Sequence, residues 1–230
     1  MQFPIRINKY LRDKGIASRK DADELVNAGS VFVNGKRANL GMLVQEADRV
    51  EVAKSAREKK YIYLAYCKPR GLATQGPEGT PSVITEWAGK GLFPVGRLDK
   101  ESEGLLILTN DGRVSTAVLG GESKFEKEYV VRVKEILRAG IPAIFQKGMH
   151  TKTFGTLKPA GAEILDEQTL SVILREGKRH QIRVMLDELN YTILSLKRVR
   201  IGQINLGSLR PGGTRVLKQK EVALFLPHQE

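Results

Sequence analysis

Residues 96–112 read Gly-Arg-Leu-Asp-Lys-Glu-Ser-Glu-Gly-Leu-Leu-Ile-Leu-Thr-Asn-Asp-Gly. An acid, Asp99, stands in a polar turn bounded by glycines, and the unbroken apolar run Leu105–Leu108 follows it. A run of that length between turn residues reads as a buried strand. A turn held at the end of such a strand gives a reactive side chain a rigid base. Asp99 is therefore the first candidate for chemistry.

Around this stretch, strands outnumber helices. Tyr61–Tyr66 is rich in strand formers and is broken by Lys68-Pro69-Arg70-Gly71. Pro77, Gly79 and Pro81 mark a loop, and Ser82–Trp87 has room for one or two helical turns. Glu128–Val133 and Leu170–Leu174 are β-branched and apolar, as strands are. Ile182, Met185, Leu186 and Leu189 share one face of a helix expected over Arg179–Leu189. The pattern predicts an α+β domain on a mixed, mainly antiparallel sheet.

The first fifty residues have another grammar. Ile7, Tyr10 and Leu11 fall at helical spacing, and Gly15 stops them. Ser18 opens a second helix with Asp21 three residues on, a capping-box variant; Ala22, Leu25 and Val26 form its apolar face, and Gly29 ends it. Val31–Val33, the tight-turn pair Asn34-Gly35 and a strand over Arg49–Ala53 complete a helix–helix–hairpin unit. Residues 54–60 are polar, charged and without periodicity, so they read as a linker. The expected organisation is a small domain over 1–53, a linker over 54–60 and a larger domain over 61–230.

Charge narrows the partners. The chain carries a formal net charge of +12. Residues 147–220 hold fourteen Lys/Arg against six Asp/Glu, a concentration suited to a polyphosphate backbone. In the small domain Arg6, Lys9, Arg19, Lys20, Lys36 and Arg37 punctuate the helices and the turn. Arg19 and Lys20 occupy the first turn of their helix, where the macrodipole disfavours cations, and a residue set against local preference invites a functional reason. No segment reaches the ~20 apolar residues that span a bilayer, and the N-terminus lacks a signal-peptide core. The single cysteine, Cys67, excludes a disulfide framework and reads as a small buried hydrophobe. A cytoplasmic, monomeric, nucleic-acid-binding protein is expected, without a membrane partner.

Several chemistries fail on spacing. Asp99, Glu101 and Glu103 alternate like the start of a calcium loop, but Asn110 stands where the bidentate Glu belongs and Lys100 intrudes. The same acids are no glycosidase pair, because i and i+2 point to opposite faces of an extended chain. His150, His180 and His228 share no ligand spacing, so no metal is expected. Arg210–Arg215 is glycine-rich but lacks the helix start and lysine of a phosphate loop. Trp87, outside every motif, reads as packing.

Three separated pieces carry the remaining signal: Arg97-Leu98-Asp99, Lys127-Glu128-Tyr129, and Glu176-Gly177-Lys178-Arg179-His180-Gln181-Ile182-Arg183. In order and in residue type they resemble the motifs of RsuA-type RNA pseudouridine synthases. Ile7–Leu11, Ser18–Asp23 and Val33–Lys36 resemble the αL RNA-binding module. Together the likeness covers roughly residues 5–225.

The resemblance implies a pseudouridine synthase fold, RNA rather than DNA as the partner, no cofactor and no metal. It makes Asp99 the essential residue, Arg183 its guanidinium partner and Tyr129 the active-site tyrosine. Arg97 would help displace the flipped base, and Lys178, Arg179, His180 and Gln181 would lie along the RNA backbone. For this work Asp99 should be ionised yet largely shielded from water, with Arg183 offsetting the burial. The wording of the motifs is nearest the RluF-like branch acting on large-subunit ribosomal RNA. A small-subunit or transfer RNA uridine is the alternative target, and a non-catalytic RNA-binding assembly factor the alternative of another class. Val184 stands where the family commonly has a second Arg, and Arg179 where an aromatic residue or Asn is usual; both changes bear on RNA contacts and leave the proposed catalytic groups in place.

Overall fold

The computed structural model describes residues 1–53, 60–120 and 125–226. The chain divides into two compact units: Met1–Tyr63 with Thr109–Gly120 and the segment from Lys218, and Leu64–Leu108 with Gly121–Leu217. Of the expected linker, residues 54–59 lie outside the described residues. No helix among the described residues is long and apolar enough to cross a membrane.

In the first unit β1 (Ile5–Arg6) leads into α1 (Ile7–Asp13), which buries Ile7 and Leu11. Gly15 ends it at φ 68°, a left-handed turn suited to glycine. Ser18 caps α2 (Arg19–Asn27): its Oγ accepts the Asp21 N–H at 3.2 Å and donates to the Asp21 carboxylate at 2.6 Å. Next come β2 (Val31–Val33), β3 (Lys36–Arg37), β4 (Leu43–Val44) and β5 (Val50–Val52). Asn34 and Gly35 adopt φ 51° and 77°, the pair of positive values that a type I′ turn demands.

The expected hairpin is a three-stranded sheet. β2 pairs with β3 across the turn and with β5 on its other edge. The turn residue Asn34 also holds the returning chain, accepting the Arg49 N–H at 2.9 Å and donating to Asp48 at 2.8 Å. β4 pairs with β1, and both contribute to a core with Leu11, Ala22, Val26 and Val31.

The remaining elements are β6 (Tyr63–Lys68), α3 (Val83–Ala88), β7 (Phe93–Val95), β8 (Glu103–Thr109), α4 (Gly112–Leu119), β9 (Lys127–Val133), α5 (Ile141–Lys147), β10 (His150–Thr151), β11 (Gly155–Thr156), β12 (Gly161–Asp166), β13 (Thr169–Leu174), α6 (Gln181–Asp187), β14 (Ile193–Ile201), β15 (Ile204–Asn205), β16 (Thr214–Val216) and α7 (Gln219–Val222). α4 belongs to the first unit. Its Asn110–Asp111 entrance holds the incoming chain: Asn110 bonds the backbone of Lys60 and Ile62, and the buried Asp111 carboxylate receives Arg113 and the Tyr63 hydroxyl. Gly112 is required there, because a Cβ would come 2.4 Å from the Cβ of Ser18.

In the second unit the sheet runs β12-β13-β9-β14-β8-β6-β16, with β15 on β14 and β7 on β8. β14 and β8 pair in parallel, whereas β12/β13, β13/β9, β9/β14 and β16/β6 are antiparallel. Leu105–Leu108 is wholly buried, as its unbroken apolar run predicts. Two apolar clusters flank the sheet. One gathers Val131, Val133, Phe145, Leu170, Val172, Met185 and Leu186, and the other gathers Tyr66, Val83, Trp87, Leu92, Leu98, Leu106 and Leu108. Trp87 is core, edge-on to Tyr66, and Cys67 is buried.

Candidate active site

The loop between β7 and β8 carries Asp99, and its backbone is fixed on both sides. Buried Thr74 holds Leu98 twice, its Oγ1 accepting the Leu98 N–H at 2.9 Å and donating to the Leu98 carbonyl at 2.7 Å. The Ser102 N–H donates to the Asp99 carbonyl at 3.0 Å, closing a tight turn, and the Gly71 N–H donates to the Lys100 carbonyl at 2.8 Å. Beneath the loop lies Lys68, with no solvent exposure. Its Nζ donates to the carbonyls of Pro69 and Leu72 at 2.8 and 2.6 Å and reaches that of Lys100 at 3.5 Å. Burial pulls this ammonium down to about 8, against the carboxylates of Asp99, Glu101 and Glu103.

Each oxygen of the Asp99 carboxylate faces a basic side chain. Arg183 Nε lies 3.7 Å from Oδ2, and His180 Nε2 lies 3.2 Å from Oδ1. The Arg183 guanidinium is tethered through Nη2, which donates to Ser102 Oγ at 3.1 Å. The pairing with Arg183 is the one the sequence predicts, but the expected shielding is incomplete. The Asp99 side chain is 31% exposed and that of Arg183 28%. The loop lies at the surface end of its strand, so water reaches the carboxylate beside its partners.

The second basic partner comes from a strained turn. His180 adopts φ 59°, ψ 20°, left-handed values uncommon for a non-glycine residue, and stands at the N-cap of α6. The helix consequently starts at Gln181, two residues later than its apolar periodicity predicts. Gln181, expected along the RNA backbone, is buried. It is 3% exposed, accepts the Lys178 N–H at 3.1 Å and donates to Glu176 at 2.8 Å, so its amide is spent on holding the turn. His180 likewise faces Asp99 rather than open solvent alone. Lys178 Nζ sits 5.3 Å from the centre of the Phe154 ring, whereas Arg179 is exposed.

Tyr129, on β9, is half-buried and packs against both apolar clusters, one of which contains Leu98, the neighbour of Asp99. Arg198 pairs opposite it from β14, with Cζ 6.0 Å from the ring centre. Arg97 is exposed two residues before Asp99. In the first unit Arg6, Arg19, Lys20, Lys36 and Arg37 are exposed and Lys9 is half-exposed. The Cys67 thiol is buried and pushed up by that burial, so it forms no nucleophile pair with His180. Among the described residues no three His, Cys, Asp or Glu gather into a metal-binding group.

The sequence reading missed Lys68, Gly71, Thr74 and Ser102 as supports of the loop. A signal was present for Lys68: a lysine closing the apolar strand Tyr63–Cys67 is either at the surface or held by carbonyls.

A carboxylate seated between a guanidinium and an imidazole, open to solvent on one side and backed by an apolar cluster, has the chemistry of a general base or a nucleophile. Comparison with known proteins gives the chemistry. The sequence profile of the RNA pseudouridylate synthases matches residues 62–188, and that of the S4 domain matches residues 5–50. The dual-specificity RNA pseudouridine synthase RluF of Escherichia coli (strain K12) is 34% identical over 95% of this chain and 77% of its own length. The ribosomal large subunit pseudouridine synthase B of Bacillus subtilis (strain 168) is 34% identical over 94% of this chain and 93% of its own. A crystal structure of a pseudouridylate synthase superposes with a TM-score of 0.71 at 24% identity, covering 96% of this chain and 99% of the other, a likeness of fold. The chain belongs to the RNA pseudouridine synthase family and is an enzyme that isomerises uridine in RNA.

Proposed function

We propose that this enzyme converts one uridine of large-subunit ribosomal RNA to pseudouridine, with Asp99 acting on the ribose. The observation that carries the reading is the placement of His180 and Arg183 at the two oxygens of a carboxylate on a backbone pinned from both sides. The target class is supported by the Bacillus subtilis relative, whose name states the ribosomal large subunit. Arg6, Lys9, Arg19, Lys20, Lys36 and Arg37 supply the charge for gripping the RNA backbone, within a module extending over residues 1–53.

The reaction breaks the C1′–N1 bond, turns the base and forms a C1′–C5 bond; C5 loses its proton and N1 gains one. Asp99 serves as nucleophile toward the sugar or as base toward a sugar proton. Arg183 stays paired with the carboxylate while the incoming nucleotide displaces water from the open side. The nucleotide leaves its stack first, at a cost of a few kcal/mol. The Tyr129 ring offsets part of that cost, since base–aromatic stacking is worth about 1–3 kcal/mol. Its hydroxyl assists the late removal of the C5 proton. Arg97 helps displace the flipped base, and Lys178 and Arg179 supply positive charge for the RNA backbone.

The test is tritium release from large-subunit RNA transcribed with C5-tritiated uridine. Wild type should release about one equivalent of tritium per site and Asp99→Asn none; equal release by the two would defeat the assignment of Asp99. Release from small-subunit RNA alone would move the target and leave the chemistry.

A further inference from the structure

We propose that His180 is a positioning residue for Asp99, fixing one carboxylate oxygen while Arg183 fixes the other; the proposal rests on Asp99 being the catalytic carboxylate. Three independent observations meet at this residue. Its Nε2 lies 3.2 Å from Asp99 Oδ1, nearer than Arg183 Nε lies to Oδ2 at 3.7 Å. Its backbone is left-handed, at φ 59° and ψ 20°. Its side chain makes no hydrogen bond to the helix it caps.

Each point argues against a residue placed for packing or for helix capping. Histidine visits the left-handed region more often than most residues other than glycine, but there too the conformation persists where the surroundings hold it. The surroundings here do so. Gln181, buried directly after it, ties the Lys178 N–H to the Glu176 carboxylate, and that carboxylate accepts the Lys158 N–H at 3.3 Å. The turn is braced on both sides of His180, and it brings the imidazole to Asp99.

The geometry gives the imidazole a job that Arg183 cannot do alone. A carboxylate held through a single oxygen rotates about its Cβ–Cγ bond, so the direction of the reactive lone pair wanders. Two partners on different oxygens, arriving from one helix start and from one turn further along it, fix that plane. The partners differ in freedom. Arg183 is tethered to Ser102. His180 is 44% exposed, so it meets the carboxylate from the solvent side.

Kinetics on substrate RNA separate this role from a phosphate contact. Asn tolerates the left-handed backbone but is too short to reach Oδ1, whereas the Gln amide nitrogen matches the reach of the imidazole Nε2. We expect His180→Asn to lower kcat about ten- to a hundred-fold, the scale of a displaced reacting group, with KM for RNA unchanged. His180→Gln should recover most of that loss, and melting curves should show all three proteins folded. Arg179→Ala, beside it, should move KM instead. A His180→Asn enzyme with wild-type kcat, or one altered only in KM, overturns the proposal while wild type remains active and Asp99→Asn inactive. An Asp99→Asn enzyme as active as wild type would instead sink the catalytic reading itself, and this proposal with it.

Discussion

Arg183 is bound to Ser102: its Nη2 donates to the serine Oγ at 3.1 Å, and Ser102 is 1% exposed, in the turn that begins at Asp99. The hydroxyl therefore aims the guanidinium whose Nε faces Asp99. A planar fork serves both ends at once and an ammonium cannot. Arg183→Lys should lose about ten- to a hundred-fold in kcat, and Ser102→Ala should lose less, with about 1 kcal/mol of stability. Because the ion pair is roughly a quarter to a third exposed, Arg183→Ala should cost only about 0–1 kcal/mol of stability. The 3–5 kcal/mol typical of breaking a fully buried pair would show instead that the carboxylate is dry. Urea unfolding paired with tritium release reads both.

Lys68 makes stability depend on pH with a definite sign. Its folded ammonium is pulled down to about 8 by burial, whereas an unfolded lysine titrates near 10.5. Between those values the unfolded chain binds a proton that the folded chain has lost, so stability rises with pH across that window. Below about pH 8 the cost of burying the charge is fully present. Tyr66 acts the other way above pH 10, because burial pushes its phenol up to about 12 and the folded state keeps a proton that the unfolded state releases. The difference in melting temperature between wild type and Lys68→Met should therefore shift in favour of wild type from about pH 8 to 10. A difference flat across that range would mean that Lys68 is not held as a buried cation.

Legibility followed locality. Ser18 with Asp21, Asn34-Gly35 and Leu105–Leu108 act within a few residues, and each forms the cap, turn or buried strand its spacing predicts. Asp99 and Arg183 were found by motif, and the fold supplies their contact. What the sequence did not show depends on partners far along the chain. β14 has no readable signature because Lys197, Arg198 and Arg200 interrupt its apolar positions. Arg198 is nevertheless buried, its Nε donating to the Leu105 carbonyl at 2.8 Å. Lys68 looks like a strand terminator until its carbonyl acceptors are assembled from two loops. His180 looks like one more cation of a basic turn until the left-handed backbone turns it inward.

Gly104 is the second residue of β8, where that strand meets β14. Its φ is 106°, and a Cβ there would lie 2.3 Å from the carbonyl oxygen of Arg198. Neither atom belongs to a flexible end, so the parallel pairing of Gly104 with Arg198 has to part. Gly104→Ala should cost about 2–5 kcal/mol, combining backbone strain with overpacking. Gly35→Ala is the control, with φ 77° and open space around the missing Cβ; its cost is the left-handed penalty alone, about 1–2 kcal/mol. Equal urea midpoints for the two variants would show that the close approach of the strands contributes nothing.

Arg19 and Lys20 occupy the first two positions of α2, exposed, where the helix dipole disfavours positive charge. Replacing both with alanine should therefore stabilise the first unit, by about 0.3–1 kcal/mol per charge at low salt. If the pair contacts RNA phosphates, the same substitution weakens binding, and the slope of log affinity against log salt becomes shallower by about 0.7–0.9 for each lost contact. The two effects have opposite signs. A variant that gains stability and keeps the wild-type salt slope would place the RNA grip elsewhere. One that loses both stability and affinity would show that these side chains serve the module's own packing, a role their exposure argues against.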